Sequence, residues 1–544
     1  KMPNLKTDLT EIRDKIARKY EYVLTMGSQK PSMANNLSYI IERLDRMIKK
    51  PNDVSRRLSE LSDAQSTLGD LYVNLQQNAM TIDYFCLAGE DTEIKIHLAN
   101  PFESVWAITE AFFISFTKDY KNVAGGLVDE DATVIKVWAS QGREWAELIK
   151  EMADEDFTAK TGIAVQMNIM PAGALGVGSV NALMLSIASG TQPDVTLGIE
   201  RNTPVEIAIR DGLYDLSQFE DYEEVHSRFV ENTEVPFRYQ GGIYAIPETM
   251  DIRGFIYRTD IFEELGLTPP DTWEEMYEKI LPVLYQNNMQ CYVPQDFGTF
   301  LFQMGGQFYT EDGMQCALDS NAAYQAFEEY CGLFNNYGVP ITANFYMRMR
   351  TGEMPCGIGT IGDYRQLMVA APEISGKWKL TIMPGHEKAD GSIDRSVAGI
   401  TSTADVILGA TEHPEEAWEF LKWWTSADVQ TEFGSQIEAI MGPSARWNPA
   451  NMEAWKNLPW DSGDLKVMEE TWNWVQERPV VLGGYITDRH ITNAWNRVVV
   501  SAANPWNFGV RSTARELPRD SLEKAVEDIN REMQAKQEEY GVLK

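Results

Sequence analysis

Basic residues, histidine and cysteine are scarce in this sequence. Its 544 residues include 48 Lys and Arg against 81 Asp and Glu, which gives a net charge of −33. Because nucleic acids and anionic membrane surfaces are bound through Lys and Arg, this acidity disfavours both as partners. The five histidines are not at metal-ligand spacing, and no H-E-x-x-H, G-x-S-x-G or P-loop motif occurs. The sequence therefore predicts no enzyme, no metal site and no cofactor.

The five cysteines are odd in number and contain no C-x-x-C pair. This spacing disfavours a zinc site and implies no disulfide framework. Two alternatives stay open: one bridge among the last four cysteines, or buried free thiols. There is also no run of about 18 apolar residues, so no membrane span is predicted. The cysteines are Cys86, Cys291, Cys316, Cys331 and Cys356.

Helical periodicity dominates the first 80 residues, where apolar residues recur three, four and seven positions apart. Prolines at positions 31 and 51 separate three such stripes. With a fourth apolar helix expected at residues 102–116, the pattern predicts an all-α helical bundle over residues 1–120. Glycines and an acidic run predict a linker at 121–132. The stripes are Leu5, Leu9, Ile12, Ile16 and Val23; Leu37, Ile41, Leu44 and Ile48; and Leu61, Ala64, Leu68, Leu71 and Leu75.

Beyond the linker the pattern changes to alternating strands and helices. Strands are predicted from Thr133 to Ala139, at residues 163–170 and from Pro193 to Leu197. Helices are predicted between them, at residues 144–157 and 181–188. This β-α-β-α-β order predicts an α/β fold with a parallel sheet covered by helices.

The segment from Tyr239 to Met276 carries the most distinctive motif of the chain. It contains a paired-glycine turn, a strand with a Tyr and a Pro, an Ile-Tyr strand, a helix ending Leu-Gly-Leu, and a Thr-Trp-Glu helix start that either Asp271 or Thr272 could cap. A Ser-Gly-x-x-Pro-Asp-Val signal precedes this segment at Ser189, and an A-W-E-F-L-K-W segment follows it at Ala417. In this order the motifs resemble family 1 extracellular solute-binding proteins, the binding components of ABC importers, often for sugars. The resemblance covers residues 133–544.

This resemblance implies a two-lobed periplasmic-binding-protein fold following the bundle. Lobe 1 is expected mainly at residues 133–245 and about 399–445, lobe 2 mainly at 258–384, and C-terminal helices at 446–544. Hinges are expected near 246–252, near 384–400 and after Met441. The implied function is capture of a carbohydrate, an oligosaccharide, for delivery to ABC permease subunits by a monomer. An extracellular or cell-surface lipoprotein is implied, with its export signal expected upstream of Lys1.

Polar residues at predicted strand ends are the first candidates for ligand contacts, because two-lobed α/β proteins bind ligands at the carboxyl ends of their strands. Arg143 follows the first strand, and Glu200 and Arg201 follow the strand from Val195. The alternative for Glu200 and Arg201 is a surface ion pair with each other. At the expected hinge, the candidates Glu248 and Asp251 could instead cap a turn or pair with Arg253. The strand-end candidates are therefore Arg143, Glu200, Arg201, Glu248 and Asp251.

Three further candidates come from the resemblance to sugar-binding members of the family. Tyr364, after a Gly-Asp pair, falls where such proteins often carry a stacking aromatic. Asp296 precedes a ligand-facing helix, and Trp495 matches a C-terminal stacking Trp. Aromatic rings cover the apolar faces of sugars, and carboxylates bind hydroxyls. The alternative for Trp495 is core packing on a helix.

Two alternatives to importing a neutral sugar remain. A sensing or adhesion subunit would use the same fold, with the helical bundle contacting a partner. The other alternative is a different ligand, which could be a non-sugar solute. Arginines at positions 143, 201 and 253 would also suit an acidic sugar or a phosphorylated solute if they point inward. The carboxyls of Glu248 and Asp251 raise the idea of a glycosidase, but nothing else in the sequence supports hydrolysis.

Overall fold

The fold is described from a computed structural model of the chain. The structure describes residues 5–25, 32–51, 132–170, 182–500 and 516–542, with the single positions 54, 57, 64 and 68. The chain divides into two compact units, residues 1–103 and 104–544. Among the described residues, no helix is long and apolar enough to cross a membrane.

In the first unit, helices α1 (Leu5–Thr25) and α2 (Ser32–Lys49) pack against each other. Their apolar stripes form the contact, as the periodicity predicts, although Ile12 is 46% exposed. Of the third stripe, only two positions are described, and both are helical. The predicted fourth helix at residues 102–116 lies outside the described residues. The buried contact consists of Leu9, Ile16, Leu37, Ile40, Leu44 and Met47.

The second unit contains the predicted two lobes, each built on its own sheet. The first-lobe sheet has the order β2-β1-β3-β14-β6, and its strands β1, β2 and β3 are parallel, as predicted. Strand β14 runs antiparallel to β3 and β6, which confirms its return to the first lobe. The strands are β1 (Val134–Ala139), β2 (Ala164–Ile169), β3 (Val195–Glu200), β6 (Ile246–Met250) and β14 (Thr401–Ile407).

Burial explains why these segments form a sheet. Strand β1 alternates between buried and more exposed positions and places Lys136 outside. Strand β3 lies in the middle of the sheet and is buried at its first five positions. Helices cover the sheet, and a short hairpin of β4 (Arg238–Tyr239) and β5 (Gly242–Ile243) precedes β6. The helices are α3 (Arg143–Met152), which continues through a π-helical turn at Ala153–Thr158, α4 (Ala182–Ser189), α5 (Thr203–Ala208) and α6 (Tyr222–His226).

The second-lobe sheet has the order β10-β7-β9-β8. Strand β7 is antiparallel to β10 and β9, whereas β8 is parallel to β9. The strands are β7 (Gly254–Arg258), β8 (Cys291–Tyr292), β9 (Cys356–Gly359) and β10 (Trp378–Thr381). The helices are α7 (Thr259–Leu265), α8 (Trp273–Glu275), α9 (Leu281–Gln286), α10 (Phe297–Gln303), α11 (Asn321–Asn335), α12 (Phe345–Thr351) and α13 (Ile361–Ala370).

Two local signals of the sequence are confirmed here. Helix α7 ends at Gly266, whose φ of 66° is a left-handed conformation that glycine adopts readily. Helix α8 is capped by Thr272, whose side chain accepts a hydrogen bond from the backbone N–H of Glu275. Four of the five cysteines are buried free thiols, and Cys86 lies outside the described residues.

Three segments connect the lobes. The first is residues 251–253, between β6 and β7. The second is residues 395–400, where β13 (Val397–Ala398) pairs in parallel with β15 (Val475–Gln476). The third is residues 458–461, between a helix that packs in the first lobe and one that packs on β10. The remaining elements are β11 (His386–Glu387), β12 (Ile393–Asp394), α14 (Pro414–Trp424), α15 (Ala427–Met441), α16 (Met452–Asn457), α17 (Ser462–Trp472), α18 (Thr487–Trp495) and α19 (Pro518–Glu539).

Candidate functional site

A cavity of about 260 Å³ lies where the two lobes and the connecting segments meet. The first lobe contributes Arg201, directly after β3. Two connecting segments contribute Arg253 and Gly399, and the second lobe supplies most of the remaining wall, including Asp296 and Trp495. Three of the predicted site residues, at positions 201, 296 and 495, are therefore brought together here, although they are separated by nearly 300 residues of chain.

Arg201 pairs with Glu477, and not with its sequence neighbour Glu200. Its Nη1 lies 2.9 Å from Glu477 Oε2. The Glu477 side chain is buried, and its Oε1 accepts a hydrogen bond of 2.8 Å from the backbone N–H of Thr401. Burial raises the pKa of Glu477, and the nearby Arg201 charge opposes that rise. The pair thus links the first-lobe edge of the cavity to the chain after β15.

Arg478 and Asp488 form a second pair in the wall. Arg478 donates to both carboxylate oxygens of Asp488, at 2.5 and 2.7 Å, and its guanidinium lies 4.9 Å from the centre of the Phe308 ring. Burial tends to raise the pKa of Asp488, but the hydrogen bonds and charge of Arg478, together with the charge of Arg201, leave that pKa below its usual value. This two-pronged geometry holds the start of α18 against the cavity.

Arg253 is held less firmly than the other two arginines. Its Nη1 lies 3.8 Å from Asp296 Oδ2, beyond hydrogen-bond distance. Its Nε–H is buried and has no hydrogen-bond partner among the described residues. Asp296 also caps α10, because its carboxylate accepts from the backbone N–H of Thr299 at 3.4 Å and from the Thr299 hydroxyl at 2.8 Å. Arg253 and Asp296 thus line the cavity as a donor and an acceptor that are not hydrogen-bonded to each other.

Asp251 lies in the same connecting segment but faces the protein interior. Its Oδ1 accepts hydrogen bonds from the backbone N–H groups of Ile252, at 2.8 Å, and Ile361, at 2.7 Å. Burial raises the pKa of Asp251, and the charge of Arg253 opposes that rise. Asp251 is not part of the cavity wall, and it fixes the first connecting segment to the start of α13.

Glu248 lies inside the first lobe, behind the cavity. It is 3% exposed, and it accepts hydrogen bonds from Gln141 Nε2 at 2.5 Å and from Thr403 Oγ1 at 2.8 Å. Asp405 lies beside it and accepts from the backbone N–H of Gly198 at 3.0 Å. Burial raises the pKa of Glu248 to about 7, and both burial and the neighbouring Glu248 raise the pKa of Asp405.

Aromatic rings supply the apolar part of the wall. Trp495 lines the cavity but is only 3% exposed, with its ring 5.2 Å from Phe334 in an edge-to-face arrangement. Its Nε1–H is buried without a partner in the described part of the chain. The ring thus serves the core and borders the cavity at once. The other aromatic residues of the wall are Phe297, Phe302, Phe308 and Tyr330.

Besides Glu248 and Asp251, three predicted candidates are not part of the cavity wall. Tyr364 is buried in the second lobe, where its hydroxyl donates to Asp464 at 2.6 Å and its ring lies 5.3 Å from Trp378. Arg143 starts α3 on the surface and pairs with Glu147 at 3.0 Å. Glu200 is an exposed residue at the end of β3.

Glu477, Arg478 and Asp488 belong to the site but were not predicted from the sequence. Glu477 and Arg478 follow β15, which is only two residues long and too short to show the period of a strand. An acidic and a basic residue in adjacent positions are common on protein surfaces, so the dipeptide carried no signal of its own.

Comparisons with known proteins agree with this architecture. Residues 139–431 match the family described as bacterial extracellular solute-binding protein, and residues 1–78 match the four-helix bundle domain of bacterial solute-binding proteins. The chain is 25% identical over 305 residues to a lactose-binding protein of Rhizobium radiobacter, covering 53% of this chain and 67% of that protein.

Two solved structures show the same two-lobed fold. The sugar-binding protein MalE from Xanthomonas citri superposes with a TM-score of 0.60 and 18% identity, over 76% of this chain and 100% of that one. The cyclic alpha-maltosyl-1,6-maltose binding protein from Arthrobacter globiformis superposes with a TM-score of 0.60 and 16% identity, over 74% of this chain and 100% of that one. At these identities the likeness establishes the fold.

Proposed function

This chain belongs to the bacterial extracellular solute-binding protein family, and we propose that it captures a carbohydrate, an oligosaccharide, between its lobes and delivers it to an ABC importer. The observation that carries this proposal is the cavity itself. It lies at the junction of both lobes and two connecting segments, and it combines charged hydrogen-bonding groups with aromatic surface. Sugars present hydroxyls and apolar ring faces, which such a lining can bind.

Within the proposed site, the ligand contacts Arg201, Arg253, Asp296 and Trp495. Arg253 and Asp296 lie 3.8 Å apart without a hydrogen bond between them, so they offer a donor and an acceptor to neighbouring hydroxyls. Glu248 and Asp251 act behind the cavity by holding the strand β6 and the segment that follows it. Relatives that bind sugars, such as the lactose-binding protein and the cyclic maltosyl-maltose binding protein, support the ligand class.

Transport requires the lobes to close and the closed form to be recognised. A ligand that contacts both lobes stabilises the closed form, because only that form makes both sets of contacts. The three connecting segments are the proposed hinges. We expect the protein to act as an extracellular, membrane-anchored monomer without enzymatic activity, with permease subunits as its partners.

The first test is a thermal-shift screen of the purified protein with lactose, maltose, mannobiose and longer maltodextrins. A ligand at about 100 times its dissociation constant adds roughly 2.7 kcal/mol of stability, a shift of a few degrees. Arg253→Ala should abolish the shift. Arg348→Ala provides a matched control, because Arg348 pairs with Glu353 in the second lobe and is part of neither the cavity wall nor a connecting segment.

If no sugar shifts the melting temperature while peptides or other solutes do, the carbohydrate proposal is overturned. A hit that survives Arg253→Ala would instead move the site away from this cavity. Small-angle scattering then tests closure, since a closing ligand should reduce the radius of gyration and a ligand that leaves it unchanged would contradict the hinge proposal.

A further inference from the structure

Every cation in the cavity wall already faces a carboxylate. The wall contains three arginines, at positions 201, 253 and 478, and two aspartates, at positions 296 and 488. The third carboxylate, Glu477, lies directly behind Arg201. Positive and negative groups therefore balance within the described residues of the site, before any ligand enters.

We infer that the cavity selects an uncharged sugar and rejects acidic sugars and phosphorylated solutes, an inference that rests on the proposed function. An anionic ligand gains little from an arginine whose charge is already neutralised nearby. Arg201 keeps N–H donors that a ligand can use, because its contact with Glu477 is made through Nη1, which lies 2.9 Å from Glu477 Oε2. The buried Glu477 carboxylate nevertheless balances the charge of Arg201, so an anion gains little more from this arginine than a neutral hydroxyl does.

Arg478 is no more available than Arg201. Both prongs of its guanidinium are bound to Asp488, and its flat face lies over Phe308. Two parallel hydrogen bonds fix a guanidinium in orientation as well as in position. An incoming carboxylate or phosphate would therefore meet a guanidinium whose orientation is fixed and whose charge Asp488 already balances.

Arg253 has hydrogen-bonding capacity to spare but no spare charge. Its Nε–H has no hydrogen-bond partner in the described part of the chain, yet its Nη1 lies 3.8 Å from Asp296 Oδ2 and its charge opposes the rise that burial causes in the pKa of Asp251. A neutral hydroxyl fits this arrangement, because its oxygen accepts from the guanidinium while its proton is donated to Asp296. A carboxylate oxygen accepts from Arg253 but has no proton to give, so it would meet the negative charge of Asp296 directly.

The decisive experiment compares neutral and acidic sugars on the full chain by isothermal titration at pH 7. The probes are lactose, maltose, mannobiose and maltotetraose, each with its counterpart carrying a uronic acid at the non-reducing end, and glucose 6-phosphate and glucose. We expect the tightest neutral probe to bind at least ten times more tightly than the tightest acidic probe. A smaller ratio, or an acidic probe that binds more tightly, overturns the inference and leaves carbohydrate capture standing.

Failure of every probe, neutral and acidic, overturns the proposed function and the inference with it.

Asp296→Asn supplies a second, independent measurement. Asparagine is also a good helix cap, so α10 should remain intact while the negative charge beside Arg253 is removed. The neutral-to-acidic affinity ratio should fall at least threefold in this variant. An unchanged ratio would contradict a role for this charge pair, and Asp390→Asn, an exposed turn residue, is the matched control.

Discussion

Glu477 beside the cavity and the two carboxyls inside the first lobe are similarly buried, but they face opposite neighbours. Glu477 is 6% exposed and lies against the guanidinium of Arg201. Glu248 and Asp405, at 3% and 0% exposed, lie against each other with hydroxyl, amide and backbone donors around them. Burial disfavours charge in both places. In the cavity wall a cation compensates for it, whereas in the first lobe a bound proton must do so.

The two regions therefore depend on different conditions for their stability. The balance of the cavity wall depends on which side chains are present, so a mutation should disturb it most. The carboxyl pair of the first lobe depends on protonation, so pH should disturb it most. The following predictions test this division, beginning with the largest expected effect.

Removing the cation from the cavity wall should have the largest effect on stability. Arg201→Met leaves Glu477 buried without its partner, which should lower the free energy of unfolding by about 3–4 kcal/mol in a urea titration. Adding Glu477→Gln should recover more than half of the loss, because the amide oxygen keeps the hydrogen bond from Thr401 without a charge. A loss below about 1 kcal/mol in the single variant would mean that the pair contributes little.

Raising the pH should destabilise the first lobe. Burial raises the pKa of Glu248 from 4.5 to about 7, so the folded protein keeps a proton that the unfolded chain releases. The stabilisation is therefore fully present below about pH 4.5 and is lost as the pH rises through 7. The expected loss is up to about 3 kcal/mol. The raised pKa of Asp405 acts in the same direction.

The measurement is the urea midpoint of wild type and Glu248→Gln between pH 5 and pH 8. The difference between the two proteins reports the Glu248 carboxyl together with its effect on the pKa of Asp405, because all other titrating groups are shared. Wild type should lose stability relative to the variant as the pH rises. Parallel curves over this range would show that Glu248 does not hold the extra proton.

Tyr364 was predicted from the sequence as a ligand contact, but it is not part of the cavity wall. Tyr364→Phe removes the hydrogen bond to Asp464 and should lower the free energy of unfolding by about 1 kcal/mol. Sugar affinity should change less than twofold, since the ring borders Trp378 and Trp460 and not the cavity. A large loss of affinity without a loss of stability would restore Tyr364 as a ligand contact.

The smallest effect is expected at the surface. Arg143→Ala removes an exposed pair with Glu147, four residues along the same helix, and such pairs contribute about 0.5 kcal/mol or less. Neither the urea midpoint nor sugar affinity should move measurably. A tenfold loss of affinity would show that Arg143 reaches the ligand in the closed form.

Much of the fold was predictable because its signals are local. The periodicity of the strands in the first lobe, Gly266 at the end of α7 and Thr272 at the start of α8 are each read from neighbouring residues. The resemblance to a known family also placed β14 back in the first sheet. Local signals decide local structure, and the strand order then follows from a few topological rules.

The site was predictable only in part, because its charge pairs join distant segments. Arg201 follows a strand and so attracted notice, but its partner Glu477 lies 276 positions later. The sequence suggested Glu200 as the neighbour of Arg201, and only the three-dimensional fold replaces it with Glu477. Likewise, Tyr364 is in a position typical of stacking residues, yet the hydrogen bond to Asp464 holds it in the interior. Such choices depend on packing that no single segment encodes.

Gly399 ties the second connecting segment to the cavity in a mechanical sense. Its φ is +65°, and a Cβ atom at this position would lie 2.5 Å from Nη1 of Arg201. The guanidinium therefore fills the space that a side chain at position 399 would need. In the proposed closure, a rotation at Gly399 would move the backbone that borders Arg201, so a sugar bound to Arg201 would couple the angle between the lobes to the occupancy of the cavity.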